Sequence, residues 1–173
     1  MFKDGKIVKA SIKDIKNIAA LIKAGWNSAY IGLIPDEYLK NMNEEELVKR
    51  WKANIEKKQD IYVYEINNKL MGVVKFGKTE NLSEENMGEI MVLYVQPKSK
   101  RNGIGTYLFR FAQNKLKKKK YKKMIVWCLK GNIEGTNFYK KMGGKYIGDR
   151  DFEIRGLKIK EEGFFYNLIK EGE

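Results

Sequence analysis

The sequence predicts an α+β protein, with a mixed, mostly antiparallel central sheet flanked by helices and a single domain over residues 1–173. Three observations carry this reading. Strand-like and helix-like segments follow one another in the order βααβββαβαββ, and neither a Pro- or Ser-rich linker nor an internal repeat interrupts them. DIYVYEIN and KLMGVVKFGK alternate apolar and polar residues about Asn67-Asn68, the pattern of a β-hairpin. GEIMVLYV, an apolar helical stretch and KMIVWCL form a strand–helix–strand unit, whose crossover supplies one parallel step.

Taken in order, KIVKAS alternates like a short strand, and SIKDIKNIAALIKAGWNSAY follows with Ile12, Ile15, Ile18, Ala19 and Ile22 at helical spacing. Ser11, with Asp14 three residues on, is an N-cap pattern with Asp in place of the usual Glu. GLIP breaks the periodicity, and Pro35 opens a short helix. NEEELVKRWKANIEK is the next helix, capped by Asn43 and carrying three glutamates where the helix dipole favours them. After the hairpin, TENLSEENMG is a polar connection into the apolar strand GEIMVLYV, which ends at Gln96-Pro97. Ile104, Leu108, Phe111, Ala112 and Leu116 then give a helix of about four turns. KMIVWCL is a strand, KGN a loop, EGTNFYKKM a helix, and GKYIGDRDFEI with EEGFFYNLI the closing pair of strands.

Composition excludes several kinds of chemistry. There is no histidine, so Ser-His and Cys-His nucleophile pairs are absent, and with one cysteine a zinc site is not expected; no metal is predicted. The single Cys128 cannot form an internal disulfide, the N-terminus lacks the apolar core of a signal peptide, and no stretch reaches the ~20 apolar residues of a membrane span. A soluble cytoplasmic protein is expected. The 35 basic against 22 acidic residues leave a net charge of +13 and point to an anionic partner. Because the excess is lysine spread along the chain, with few arginines, nucleic acid is disfavoured as that partner.

The sharpest local signal is the basic, glycine-bearing stretch KRNGIG between a strand and a helix. Backbone N–H groups at a helix start form an anion site. No GK[ST] follows, which argues against a P-loop, and Tyr107 and Leu108 stand where a dinucleotide fingerprint needs its third glycine. Taken alone, the stretch fits either an anion site for any phosphate or a strand–helix turn whose glycines permit tight packing.

In its wider context, LYVQPKSKRNGIGTYLFRFA resembles motif A of the GNAT superfamily of N-acetyltransferases, a strand followed by [Q/R]-x-x-G-x-[G/A] and a helix. Lys100 replaces the first Gln or Arg, keeping the charge but losing bidentate geometry. Downstream, Asn132 to Tyr139 and then Gly143 are similar to the family's N-x-x-A-x-x-F-Y-x-x-x-G segment, with Gly135 in place of Ala. WNSAYIGLIPDEYL, the Arg50-Trp51 pair and GGKYIGDRDFEIRGL resemble one broad group of these enzymes, so the likeness covers nearly the whole chain.

That resemblance implies the GNAT acyl-CoA N-acyltransferase fold, acetyl-CoA as co-substrate, and transfer of acetyl to a primary amine of a small molecule or peptide by direct attack in a ternary complex. Lys100, Arg101, Asn102, Gly103, Ile104, Gly105 and Thr106 would hold the pyrophosphate, with the ribose phosphate meeting Lys98, Lys100 or Arg101. The backbone of Leu93, Tyr94 and Val95 would pair with the pantetheine arm. Tyr139 would protonate the departing thiolate, with aromatic packing beside Phe138 as the alternative. Asn132 would hold the pantetheine, or order a turn.

Other roles stay open at this level. Glu89 is the carboxylate nearest the acyl site and would act as base through water if it lies inside the sheet, but would be inert at a solvent-facing strand end. Glu161 and Glu162 are weaker rivals, and the amine can lose its proton to bulk water. Cys128, inside a strand, reads as a small core residue rather than an acyl carrier. Trp26 and Tyr30, at i and i+4, wall an acceptor pocket or pack in the core. Tyr30, Trp51 and the tyrosines suggest an aromatic pocket suited to a cation or a planar group. KLKKKKYKK, residues 115–123, reads as a solvated basic face, with a polyanion contact as its rival. Self-association as a homodimer is compatible with the sequence. The competing functions are an acyl-CoA sensor without turnover and a basic RNA-associated protein.

Overall fold

The computed structural model describes residues 5–79 and 86–169. The chain runs β1 (Lys6–Lys9), a 3-10 turn (Ile12–Asp14), α1 (Ile15–Ala29), α2 (Asp36–Lys40), α3 (Glu44–Glu56), β2 (Asp60–Ile66), β3 (Lys69–Lys78), β4 (Met87–Val95), a second 3-10 turn (Pro97–Ser99), α4 (Ile104–Lys118), β5 (Lys123–Leu129), α5 (Ile133–Lys141), β6 (Lys145–Ile154) and β7 (Leu157–Asn167). Among the described residues the strands form a seven-stranded sheet in the order β1-β2-β3-β4-β5-β7-β6. β1–β2, β2–β3, β5–β7 and β6–β7 pair antiparallel, and β4–β5 is the parallel step supplied by the α4 crossover. The predicted class, a mostly antiparallel mixed sheet flanked by helices, is the observed one.

Contacts divide the chain into two compact units, Met1–Phe76 with Val92–Ala112, and Gly77–Met91 with Gln113–Glu173. In the first, α1 and α3 lay their apolar faces on β2 and β3. Ile18, Ala19, Leu21, Ile61, Val63 and Val73 are fully buried there. The capping pattern at Ser11 forms as predicted: its backbone N–H and its Oγ both donate to Asp14 Oδ2, at 2.8 and 2.9 Å. Ile12, read from the sequence as part of the apolar stripe, is instead exposed, because it lies in the 3-10 turn whose shorter period takes it off the helix face. Trp51 also departs from its expected place. It shares the α3 core face with Leu47, four residues before it, and is buried in the apolar cluster, so it is no part of an aromatic pocket.

The hairpin turn at Asn67-Asn68 has both residues at positive φ, 49° and 59°, as a two-residue type I′ turn requires. In the second unit, β7 pairs with β5 along Glu161–Asn167 and with β6 along Leu157–Phe165. β7 begins at Leu157, four residues before the strand expected from Glu161, because Arg155 and Gly156, at φ 53° and 77°, close a second tight hairpin. Most of the polar connection from β3 to β4 lies outside the described residues.

One local term is testable directly. Asn43 Oδ1 accepts the N–H groups of Glu45 and Glu46, at 2.9 and 3.3 Å, and so satisfies two donors at the start of α3. Asn43→Ala is expected to lower unfolding free energy by about 1 kcal/mol, read as a lower urea midpoint at unchanged m-value.

Candidate active site

The basic glycine loop lies in the first unit and is built by backbone geometry. Gln96 N–H donates to Met71 O at 2.8 Å, holding the end of β4 to β3. Ser99 N–H returns to Gln96 O at 2.8 Å, and Asn102 Nδ2 donates to the carbonyls of Ser99 and Lys100, at 3.3 and 3.2 Å. The chain then enters α4 through two left-handed residues, Arg101 at φ 62° and Gly103 at φ 82°. Nothing lies within 4 Å of where a Gly103 Cβ would be, so backbone conformation rather than space explains this glycine. The first helical bond is Tyr107 N–H to Gly103 O, 2.9 Å. The N–H groups of Ile104, Gly105 and Thr106 therefore precede the helix's hydrogen-bond ladder, and the positive end of α4 carries them. Lys98 and Arg101 are exposed, and Lys100 is half-buried.

Ile104 and Leu108 anchor this helix end in the core. A Cβ at Gly72 of β3 would come within 2.8 Å of Leu108 Cδ1 and 3.1 Å of Tyr94 O, so a glycine there lets α4 sit directly against the strand. The ladder from β4 to β5 covers only Met87–Ile90 against Lys123–Val126. Leu93, Tyr94 and Val95 lie beyond its end, where the pantetheine-pairing backbone is expected.

Also in the first unit, the Tyr94 side chain turns to α1. Its hydroxyl lies 2.8 Å from that of Tyr30, and its ring occupies the space a Gly25 side chain would need. Trp26 meets Tyr30 edge-on at 5.1 Å and stacks on Tyr38 at 6.3 Å. Trp26 and Tyr30, paired on sequence spacing, are thus in contact and half-buried. Sequence reasoning missed the Tyr94 side chain and Tyr38. The available signal was Gly25, a poor helix former inside a helix, which marks a close approach.

The second unit holds the remaining candidates. Tyr139 stacks on Phe164, with centroids 5.9 Å apart, and its carbonyl accepts from Tyr166 Oη and Gly144 N–H at 2.9 and 3.0 Å, which fixes the residue at the end of α5. Asn132 is the N-cap of α5, its Oδ1 accepting Gly135 N–H at 3.1 Å. The ordered turn expected of it is thus present as a helix cap. Glu89 is buried within the β4–β5 ladder, not at an exposed strand end, and Thr79 Oγ1 donates to its Oε2 at 2.7 Å. Its rivals are engaged elsewhere: Glu161 Oε2 pairs with Arg150 Nη2 at 2.7 Å, and Glu162 Oε2 accepts from Thr136 Oγ1 at 2.9 Å.

Cys128 is buried behind α5. Burial pushes its thiol up from 9.0 to about 11, with hydrogen bonding to Thr136 and Asn132 opposing the rise and the charges of Glu162 and Glu161 adding to it. A Cβ at position 135 would lie 2.8 Å from Cys128 Sγ and 2.7 Å from Asn132 Nδ2. Gly135, where the GNAT pattern has Ala, therefore leaves room for the thiol and the cap. In the lysine run, Lys117 to Lys120, Lys122 and Lys123 are exposed, as a solvated face requires.

Comparison with known proteins agrees with the fold. Residues 26–144 match the family model described as Acetyltransferase (GNAT) family. The chain is 28% identical over 156 residues to the uncharacterized N-acetyltransferase YuaI of Bacillus subtilis, covering 90% of this chain and 88% of that protein. It is 26% identical to the spermidine N(1)-acetyltransferase of Thermoplasma acidophilum, over 84% of this chain and 91% of the relative. The crystal structure of the PaiA N-acetyltransferase of T. acidophilum in complex with coenzyme A superposes with a TM-score of 0.68 at 21% identity, covering 91% of this chain and 97% of that one. Among the described residues, no helix is long and apolar enough to cross a membrane. With its strand–glycine loop–helix element and a family match across most of its length, the chain belongs to the GNAT family and is an acetyl-CoA-dependent N-acetyltransferase.

Proposed function

We propose that residues 1–173 act as one catalytic domain in the cytoplasm, moving the acetyl group of acetyl-CoA to the primary amine of a small molecule or peptide by direct attack in a ternary complex. The observation that carries this reading is the start of α4: three peptide N–H groups ahead of the helical ladder, on a loop that enters the helix through left-handed residues at Arg101 and Gly103. Likeness to a spermidine N(1)-acetyltransferase supports a small amine as acceptor.

The donor supplies an acetyl thioester. The N–H groups of Ile104, Gly105 and Thr106 take its pyrophosphate, and Lys98, Lys100 and Arg101 add positive charge about the loop. The β4 backbone beyond Ile90 offers strand-like pairing to an extended arm, the mode of β-strand addition. As the amine nitrogen bonds to the acetyl carbon and the C–S bond breaks, Glu89 takes the amine proton through water, its carboxylate oriented by Thr79. Tyr139 gives its phenolic proton to the departing sulfur and regains one from solvent. Cys128 takes no part. Raising a thiol from 9.0 to about 11 cuts its thiolate fraction at neutral pH roughly a hundredfold, which suits a route with no acyl-enzyme.

A thiol-release screen with acetyl-CoA over polyamines, aminoglycosides, amino acids and peptides tests the activity; release with no acceptor of any class would defeat the reading. Tyr139→Phe is expected to lower kcat about 10²-fold while calorimetry shows acetyl-CoA affinity changed by less than about twofold. Unaltered turnover would remove Tyr139 from the acid role.

Cys128→Ala is expected to keep turnover, and iodoacetamide should alkylate the native thiol at pH 7 about a hundredfold more slowly than the unfolded chain. Between pH 9 and 11 the folded thiol keeps its proton while the unfolded one loses it, so this group's contribution to stability falls as pH rises through that window. In the Cys128→Ala variant that loss should be absent from the pH dependence of urea unfolding.

A further inference from the structure

The family resemblance gives Tyr94 a backbone role, but its side chain points to a different task. Its ring lies so close to α1 that a Cβ at Gly25 would stand 2.5 Å from Cδ1 and 3.1 Å from Cε1. The helix thus carries an interior glycine, at a propensity cost, where the Tyr94 ring needs room. The hydroxyl then meets Tyr30 Oη at 2.8 Å. Through Tyr30 the contact continues to Trp26, edge-on at 5.1 Å, and from Trp26 to Tyr38, stacked at 6.3 Å. All four residues are half-buried, unlike the core tyrosines Tyr64 and Tyr166, and Trp26 and Tyr94 pack against the margin of the core cluster. The phenol-to-phenol bond fixes Tyr30, and Tyr30 in turn fixes the edge of Trp26.

Aromatic faces attract organic cations. A chain with net charge +13 has no general field to draw a cation in, so a cationic acceptor needs a local device of this kind. The nitrogen that attacks the thioester must be neutral, so the charge resting on the rings belongs to a second nitrogen of the same molecule. We propose that Tyr94, through its bond to Tyr30, is a positioning residue. It sets an aromatic wall that holds the distal ammonium of a dicationic alkyl amine while the other nitrogen is acetylated. This rests on the acetyl-transfer reading above and names the acceptor class for it.

The test compares 1,4-diaminobutane with n-butylamine in the wild type, Tyr94→Phe and Gly25→Ala, by steady-state kinetics and by calorimetric titration of the diamine. Tyr94→Phe keeps the ring and the backbone and loses only the hydroxyl. Gly25→Ala keeps every hydroxyl and displaces the ring. Both are expected to raise KM and Kd for the diamine about tenfold, with a smaller effect on kcat and on the monoamine. Acetyl-CoA titration run alongside detects damage to the β4 backbone, which would lower donor affinity as well. Equal changes for diamine and monoamine, or no change in diamine KM or Kd, would overturn the role of Tyr94 while leaving acetyl transfer standing. A wild type that neither binds nor acetylates 1,4-diaminobutane overturns the acceptor class. Diamine binding that both variants weaken, without acetylation of any amine, keeps the wall and removes the turnover reading.

Discussion

The closeness with which α4 sits on β3 governs what the loop before it can present. Leu108 and Ile104 reach the strand at Gly72, where a side chain would collide with Leu108, and their burial fixes the axis of the helix. Once the axis is fixed, the first-turn N–H groups have one direction available. The chain comes in from β4 through left-handed residues at Arg101 and Gly103. On the proposed reading, phosphate recognition by this loop follows from apolar packing, with charged side chains as an addition to it. This explains how Lys100 can stand at a motif position usually held by Gln or Arg.

In the second unit, space is divided between a thiol and a helix cap. Asn132 must reach Gly135 N–H to start α5, and Cys128 fills the same corner from β5. An alanine at 135 would press on both. The thiol is surrounded by Thr136, Asn132 and two carboxylates and is buried, a setting that keeps it protonated. That setting disfavours the thiolate that covalent catalysis would need. The same polar layer engages Glu162 through Thr136, and Arg150 engages Glu161. Glu89 differs from both in being buried inside the parallel ladder.

The long elements were legible because their periodicities are strong: two hairpins, one crossover and three capped or amphipathic helices follow from spacing and turn residues. Asn67-Asn68 was readable as a tight turn from residue type alone, while the turn at Arg155-Gly156 was hidden by the strand-like residues after it. The stripe at Ile15, Ile18, Ala19 and Ile22 was read correctly, and Ile12 was not, since a 3-10 entry changes the period without changing the composition. Trp51 and Trp26 illustrate the limit for the site. Both are tryptophans on amphipathic helices, and spacing alone cannot tell which face of α1 or α3 meets the sheet.

From its sequence this protein could be assigned a mixed sheet, a glycine-bearing loop leading into a helix, and a family, because those depend on local backbone preferences and short motifs that survive without their surroundings. The tertiary structure decided which carboxylate is buried, that Cys128 is confined, and that the Tyr94 side chain meets Tyr30 across 64 positions of chain. Such contacts depend on which faces pack together. That is settled by the summed burial of distant apolar side chains, a quantity no short window of sequence contains.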